Sequence, residues 1–335
     1  MSYRIRLEPS GHEFNSEHGE SLLEAALRSG INPQYSCSNG SCGDCRARVV
    51  HGEVAQHMAG DFHFSEQEKA QGFVMLCTTA ARSDLVLEAS EAHSTQDIPE
   101  QHILVKLLKM ELVSEKVAVL HLRTPRSKTL RFLAGQHVRL RLADLPPLDA
   151  TVASCPCNGM HLYFHIHRDH DHPLVESLFR GVAYGTELEL SGPYGNLSLD
   201  DDSRRPLLMI ALGTDFAVLK SLVEHALNLE LAQPLRLFWL SDAATGHYLD
   251  NYCRAWHDEL DDFAFNELTI AAPLPNQEEM ENLFAQLAQA LPSVAAADIY
   301  LAGPEAFAAA TSDGLLQLGV DPSRLFIFHR RQAIR

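Results

Sequence analysis

The sequence predicts a multidomain protein that joins α+β and α/β architecture in three consecutive units. Near the N-terminus of the 335-residue chain, three cysteines crowd into one loop, within a small segment of short strands and helices. From about residue 102, many short β-rich segments follow one another, as in an antiparallel β-barrel. Beyond Pro206, apolar strands alternate with helices, as in a parallel α/β domain.

The cysteine loop is the motif that predicts the chemistry most directly. Cys37, Cys42 and Cys45 are spaced C-x4-C-x2-C, and Cys77 follows farther along the chain. This is the plant-type spacing for a 2Fe–2S cluster, in which four thiolates hold two irons. Small residues in the loop let backbone N–H groups approach the sulfurs. We therefore predict these four cysteines as the metal ligands. The alternatives are a set of free core thiols and structural zinc, which usually takes two C-x2–4-C pairs or pairs of Cys and His.

Composition limits the partners and the compartment. A net charge of −17 argues against nucleic acid or an anionic membrane as a partner. No apolar segment approaches the length of a membrane span, and the N-terminal residues lack the apolar segment of a signal peptide. The three other cysteines, Cys155, Cys157 and Cys253, do not resemble a disulfide framework. We expect a cytoplasmic protein.

Local patterns divide the chain into a first unit at 1–92, a polar linker at 93–101, and two further units at 102–200 and 201–335. In the first unit, alternation predicts strands at residues 3–7 and after Gly11, and Ser21 with Glu24 forms a capping box that begins a helix at Leu22–Arg28. Further elements of this unit are predicted at Arg46–Val50, Ser65–Gln71 and Asp84–Glu88.

The second and third units are predicted from the same periodicities. In the barrel, strands are expected at Val117–Leu122, His137–Leu142, His161–His167 and Glu187–Leu190, with a helix at Leu174–Phe179. In the α/β unit, strands are expected at Leu207–Leu212, Leu235–Leu240, Glu267–Ala272 and Asp298–Leu301. Helices are expected at Phe216–Leu231, Gln277–Leu291 and Pro304–Leu318, with one more between the second and third strands.

Together with this order of units, several short motifs resemble one known family: Leu23-Glu24-Ala25-Ala26, Leu76-Cys77-Thr78, Ala134-Gly135-Gln136-His137-Val138, Gly192-Pro193-Tyr194-Gly195 and Tyr300–Pro304. The whole chain is similar to the reductase components of bacterial oxygenases and to CDP-6-deoxy-glucoseen reductases. The resemblance implies a β-grasp, plant-type 2Fe–2S ferredoxin fused to a ferredoxin-NADP-reductase-like module, with an FAD-binding-like β-barrel and an NAD(P)-binding-like α/β domain. In that family a hydride passes from NAD(P)H to FAD, and single electrons then pass through the cluster to an oxygenase or a similar acceptor.

The flavin motifs of this family are altered here. The family has Arg-x-Tyr-Ser, whose Arg holds the pyrophosphate, where this chain has Asp149-Ala150-Thr151-Val152. An Asp repels a phosphate that an Arg would bind with two hydrogen bonds. A small hydroxyl residue at the start of the short barrel helix is replaced by Pro173-Leu174-Val175-Glu176.

The nicotinamide motifs are altered too. The family's Gly-Gly-Thr-Gly turn, which lets the pyrophosphate approach a helix N-terminus, reads Leu212-Gly213-Thr214-Asp215 here. Gly213 and Thr214 are therefore the only cofactor-binding candidates left at this turn. The Cys of the family's Cys-Gly-Pro motif is Ala302.

These substitutions predict an electron-transfer protein with a 2Fe–2S cluster and degenerate sites for FAD and NAD(P)H, with no catalytic residue assigned. Its partners would be an acceptor such as an oxygenase component and a separate electron donor. Two alternatives stay open: a working NAD(P)H- and FAD-dependent reductase with unusual cofactor contacts, and a non-catalytic docking or regulatory subunit.

Three other features have competing interpretations. The histidines of the segment His161–His172 (His161, His165, His167, His170 and His172) fit a solvated strand and loop better than a metal site, because no known ligand spacing is met. Cys155-Pro156-Cys157 is either a redox pair or core packing, and the intervening Pro favours packing. The acidic run Asp200–Asp202 is expected to be a solvated loop rather than a docking face.

Overall fold

The computed structural model describes residues 2–92, 94–168 and 172–330. For residues 329 and 330 it describes only the backbone. Four apolar clusters form the interior: one in the first unit, one in the second, and one on each face of the parallel sheet in the third. This arrangement confirms the predicted fold class.

The first unit is a five-stranded mixed sheet of order β2-β1-β7-β3-β5 with a separate pair, β4 and β6. Its elements are β1 (Ser2–Glu8), β2 (Glu13–Glu17), α1 (Leu22–Arg28), β3 (Arg46–His51), β4 (Val54–Gln56), α2 (Glu66–Ala70), β5 (Phe73–Met75), β6 (Thr79–Ala81) and β7 (Leu85–Ala89). The capping box is confirmed: Ser21 Oγ accepts from the Glu24 N–H, and Glu24 accepts from the Ser21 N–H at 2.9 Å. It fixes the start of α1, whose apolar face packs into the core.

The polar segment after β7 is anchored at its start. Glu91 forms a β-bridge with Pro33, and its carboxylate lies 2.7 Å from His12 Nδ1. Asn32, directly before Pro33, donates to the backbone oxygen of Phe132 in the second unit, and Arg131 donates to the Asn32 side chain in return. The first and second units therefore touch directly through buried polar contacts.

The second unit is a six-stranded antiparallel sheet of order β11-β10-β13-β8-β9-β12. Its elements are β8 (Gln101–Leu112), β9 (Val117–Arg123), β10 (His137–Arg141), β11 (Leu148–Thr151), β12 (His161–His167), α3 (Pro173–Gly181) and β13 (Glu187–Tyr194). The two outermost strands, β11 and β12, approach each other, so the sheet nearly closes into the predicted barrel.

The third unit is a parallel sheet of order β16-β15-β14-β17-β18 between helices. Its elements are β14 (Leu207–Leu212), α4 (Phe216–Asn228), β15 (Leu235–Asp242), α5 (Asp250–Glu259), β16 (Phe263–Ile270), α6 (Gln277–Ala290), β17 (Asp298–Pro304), α7 (Glu305–Gln317) and β18 (Leu325–Arg330). Every residue of β14 is buried, as expected for a central strand covered on both faces.

Several predicted boundaries in the third unit were wrong, and two of them have a clear structural reason. The strand predicted at Glu267–Ala272 begins at Phe263, because Phe263 pairs with Leu235 and is buried against the sheet. The helix predicted to reach Leu231 ends at Asn228, because Glu230 adopts a positive φ of 52° and turns the chain away. Strand β18 was not predicted. The acidic run at 200–202 is exposed, as predicted.

Within the described ranges, every helix is too short or too polar to cross a bilayer.

Candidate iron–sulfur centre and nucleotide sites

The structure brings the four cysteines of the first unit together as two pairs. Cys45 Sγ and Cys77 Sγ lie 3.1 Å apart. Burial disfavours the thiolate of Cys37, but interactions with Cys42 and Asn39 outweigh this and lower the pKa of Cys37 to about 7. Cys45 directly precedes β3, and Cys77 lies in the 3-10 turn Leu76–Thr78 that follows β5. The two segments are joined by a hydrogen bond from the Leu76 N–H to the Cys45 oxygen. The hydrogen bond with Cys77 lowers the pKa of the Cys45 thiol. Antiparallel pairing of β3 and β5 therefore positions one pair of thiols, and the loop supplies the other.

The loop fits a 2Fe–2S cluster because its backbone is closely confined. Gly40 and Gly43 adopt φ of +77° and +85°, a conformation that favours glycine. A Cβ at Gly40 would lie 2.8 Å from Gly60 Cα, and one at Gly43 would lie 2.4 Å from the Phe62 ring. The Asp44 N–H points to Cys42 Sγ at 3.4 Å. Four thiolates in two pairs, with N–H groups aimed at sulfur, are the donor set that two bridged irons require.

In the strand that carries the altered flavin motif, the carboxylate of Asp149 forms an ion pair. Asp149 on β11 lies directly opposite Arg139 on β10, and Arg139 Nε donates to its carboxylate over 3.1 Å. The guanidinium also lies over the ring of Tyr194. Thr151 lies opposite His137, while the side chain of Val152 belongs to the barrel core. Of the four motif positions, the last is therefore unavailable to a ligand.

The start of α3 is capped by the protein itself. His172 Nδ1 accepts from the Leu174 N–H at 3.3 Å, while Nε2 contacts the Pro147 oxygen at 3.1 Å. Glu176 in the first turn pairs with Arg180. One N–H group that would face a phosphate is thus already satisfied.

The turn after β14 carries buried side chains and is held by a hydrogen bond and by ring stacking. Residues Gly213–Asp215 form a single 3-10 turn that leads directly into α4, and the side chains of Thr214 and Asp215 are buried. The next residue, Phe216, stacks on Trp239 with ring centroids 3.9 Å apart, and Trp239 Nε1 donates to the Gly213 oxygen. Ala302 is fully buried in the neighbouring strand.

Comparison with known proteins identifies the first unit. Residues 5–82 match the family of 2Fe-2S iron-sulfur cluster binding domains. A CDP-6-deoxy-L-threo-D-glycero-4-hexulose-3-dehydrase reductase of Yersinia pseudotuberculosis is 30% identical over 250 residues, which are 75% of this chain and 75% of that protein. The chain belongs to the family of ferredoxin–reductase fusions.

Two further proteins are similar to this chain over most of its length. Reductase component 1 of terephthalate 1,2-dioxygenase from a Comamonas species is 27% identical and covers 79% of this chain and 78% of its own. Among solved structures, the Amycolatopsis cytochrome P450 reductase GcoB matches with a TM-score of 0.61 at 23% identity, over 98% of both chains. The latter likeness concerns the fold.

In this ferredoxin–reductase fusion, the barrel and the α/β domain contact each other directly through α4. Ser221 Oγ donates to the Ser154 oxygen over 2.8 Å, and Lys220 Nζ donates to the Ala153 oxygen. Both acceptors lie just after the altered flavin motif. The contact therefore fixes the end of that motif against the helix that follows the altered nicotinamide turn.

The described histidines of the segment His161–His172 bind separate partners. His165 Nδ1 lies 2.9 Å from Tyr248 Oη, and His167 Nε2 lies 3.4 Å from Thr245 Oγ1. His161 contacts His121 at 2.9 Å, and His172 caps α3. His170 lies outside the described residues. Within the parts of the chain that the structure describes, no three His, Cys, Asp or Glu side chains converge on one ion.

Sequence reasoning missed three residues that shape these sites: Arg139, Trp239 and Tyr248. Arg139 stands two residues after the His of the Ala-Gly-Gln-His-Val motif, so β-sheet pairing alone determines its contact with Asp149. Trp239 and Tyr248 carry no local signal, because their partners come from distant strands and helices.

Proposed function

We propose that this chain carries single electrons through a 2Fe–2S cluster held by Cys37, Cys42, Cys45 and Cys77. The observation that carries the proposal is the proximity of the Cys77 thiol to three thiols of a loop that glycine backbone confines. A bound cluster supplies one-electron transfer. The chain's own part is to hold the ligands and to expose one edge: Cys42 is partly accessible and Ser41 beside it is exposed.

The acceptor that we propose is a protein, such as an oxygenase component. Relatives that cover about three quarters of this chain bear the names of reductase components of terephthalate dioxygenase and propane monooxygenase. An acceptor would approach the exposed edge of the cluster loop, because the other side of the loop is joined to the barrel through Ser38 and Arg126. We further propose a cytoplasmic location.

We also propose that the ordinary flavin and nicotinamide contacts are lost, so that electrons enter from a separate donor. Three features support this: an acid at position 149, a core side chain at position 152, and a buried acid at position 215. Each places negative charge or apolar bulk where the family binds phosphate or the flavin ring.

The test is the cofactor content of anaerobically purified protein. We expect about two irons and two sulfides per chain, with acid-released flavin well below one per chain. Absence of any cluster after reconstitution would contradict electron transfer by this chain.

A second candidate is a working reductase, favoured by the names of the relatives and by Arg139, a cation beside the altered motif. It predicts about one flavin per cluster, and bleaching of the flavin absorbance when NADH or NADPH is added. A docking or regulatory subunit would instead co-purify with its partner, and nucleotides would not raise its melting temperature.

A further inference from the structure

The two cysteines of the barrel loop lie together in a tight turn. The Asn158 N–H points to the Cys155 oxygen at 3.5 Å, so Pro156 occupies the second position of a β-turn, where proline is favoured. The Cys157 N–H donates to Cys155 Sγ at 3.2 Å. A disulfide needs Cα atoms about 4.4–6.8 Å apart, a range that turned backbone between neighbours two residues apart satisfies. The proline therefore helps to bring the thiols together.

One side chain of α4 contacts both sulfurs. Asn228 Nδ2 lies 3.0 Å from Cys155 Sγ and 3.4 Å from Cys157 Sγ. Glu224, one helical turn earlier, accepts from the Cys155 N–H at 3.1 Å. An amide shared by two sulfurs orients them toward one another, which undirected apolar packing would not do.

The two thiols differ in access. Cys155 is 5% exposed, whereas Cys157 is partly accessible. The hydrogen bond from Cys155 lowers the pKa of Cys157, while burial raises the pKa of Cys155. An accessible thiol of lowered pKa next to a buried one is the arrangement of an attacking and a resolving cysteine.

The turn lies where the three domains meet. A Cβ at Gly159, two residues after Cys157, would lie 2.9 Å from Tyr35 Oη, and Tyr35 stands two residues before the ligand Cys37. The end of α4 touches the first domain as well, since Leu229 packs against Gly30. A bond formed between the two sulfurs would therefore act on the junction behind the cluster loop.

We propose that Cys155 and Cys157 form a thiol–disulfide site whose oxidant is the disulfide of a low-molecular-weight thiol. The Cys157 thiolate attacks that disulfide, which forms a mixed disulfide and releases one thiolate. Cys155 loses its proton to the released thiolate and attacks Cys157 Sγ, which forms the internal disulfide and releases a second thiolate. That thiolate takes up from water the proton that Cys157 lost when it ionised. The chain loses two hydrogens, and the small disulfide is reduced to two thiols.

The test treats the cluster-loaded protein with oxidised glutathione under anaerobic conditions, followed by acid quenching, alkylation and peptide mass analysis. The peptide that contains both cysteines is expected to lack two hydrogens and to resist alkylation, while the cluster absorbance stays unchanged. Cys155→Ser is expected to retain glutathione on Cys157. Cys157→Ser is expected to react about tenfold more slowly or not at all. Cys253→Ser, which removes a fully buried thiol, serves as the matched control and is expected to form the same disulfide.

Two results would overturn the proposal. In the first, the treated wild-type protein contains no disulfide, and both thiols are alkylated only once the protein is unfolded. This result would show that the two cysteines only pack in the interior. In the second, wild-type protein retains glutathione as a stable adduct, which shows that Cys155 cannot resolve it.

Discussion

Arg139 and Asp149 face each other across β10 and β11, joined by a salt bridge of 3.1 Å on the outer surface of the barrel. Their side chains are 46% and 54% exposed. An ion pair this exposed contributes at most about 1 kcal/mol to the free energy of unfolding. The pair can therefore be altered without loss of the fold, and its main effect is on the charge that a ligand at this strand would meet.

Replacing Asp149→Arg together with Thr151→Tyr should create a flavin site. The change removes the repulsive carboxylate, adds a second guanidinium beside Arg139 and restores a ring. A charge-assisted hydrogen bond contributes about 1.5–3 kcal/mol, so FAD affinity should rise at least about tenfold over the parent, measured by quenching of FAD fluorescence. Val152 is left in place because its side chain is in the core.

Asp149→Asn is the control for this design, since it removes the negative charge without supplying a guanidinium that can donate two hydrogen bonds. Its FAD affinity should rise by only a small part of the increase expected for the double variant. Equal FAD binding by parent and double variant would mean that the altered motif does not limit flavin binding.

Gly40→Ala should prevent proper assembly of the cluster. The added methyl group would lie 2.8 Å from Gly60 Cα, which is backbone and cannot rotate away. Gly11→Ala is the matched control, because Gly11 has nearly the same φ of +78° and nothing within 4 Å of the added group. The control should cost about 1 kcal/mol of folding free energy with full iron content. The Gly40 variant should unfold at a lower temperature and bind less iron; equal iron content in both would count against the confined loop.

Cys77→Ser should abolish the cluster, because Cys77 is half of one of the two proposed thiol pairs. Iron, acid-labile sulfide and visible absorbance measure the loss. Cys253→Ser, a substitution of a buried cysteine outside the loop, should keep all three. A Cys77 variant that retains a normal spectrum would show that another residue completes the site.

Acid should weaken the contact between the barrel and the α/β domain. Burial lowers the pKa of His165 from 6.5 to about 3 and that of His225 to about 4. Between these values and 6.5 the unfolded chain binds more protons, so the free energy of unfolding falls as the pH falls. His165 alone should account for about 1 kcal/mol between about pH 7.5 and pH 5.5.

Denaturant unfolding at the two pH values measures this effect. His165→Gln should remove about half of the pH dependence that His165 and His225 produce, and Lys220, the charged neighbour that also lowers the pKa of His165, is unchanged. His51→Gln, at an exposed position, should leave the slope as it was. An unchanged slope in the His165 variant would show that this side chain is accessible to protons in the folded state.

Much of the fold follows from local sequence patterns. The capping box at Ser21 determined the start of α1, and the apolar run Leu207–Leu212 determined β14, because both depend on neighbours in the chain. The first residues of β16 escaped prediction. Phe263 is part of the strand because it pairs with Leu235. Local periodicity does not predict pairing with a residue of another strand.

The sequence by itself determined the chemistry of the first domain, because the spacing of four cysteines restricts which metal group they can bind. It also determined the order of the three units, since strand and helix periods are local. Only the tertiary structure decided what the altered motifs contact: Asp149 meets Arg139, Val152 enters the core, and Phe216 stacks on Trp239. It likewise decided that Cys155 and Cys157 share Asn228, an arrangement that depends on a helix about seventy residues away. Side chains acquire such partners through packing between distant segments, and that information is not present in any local stretch of sequence.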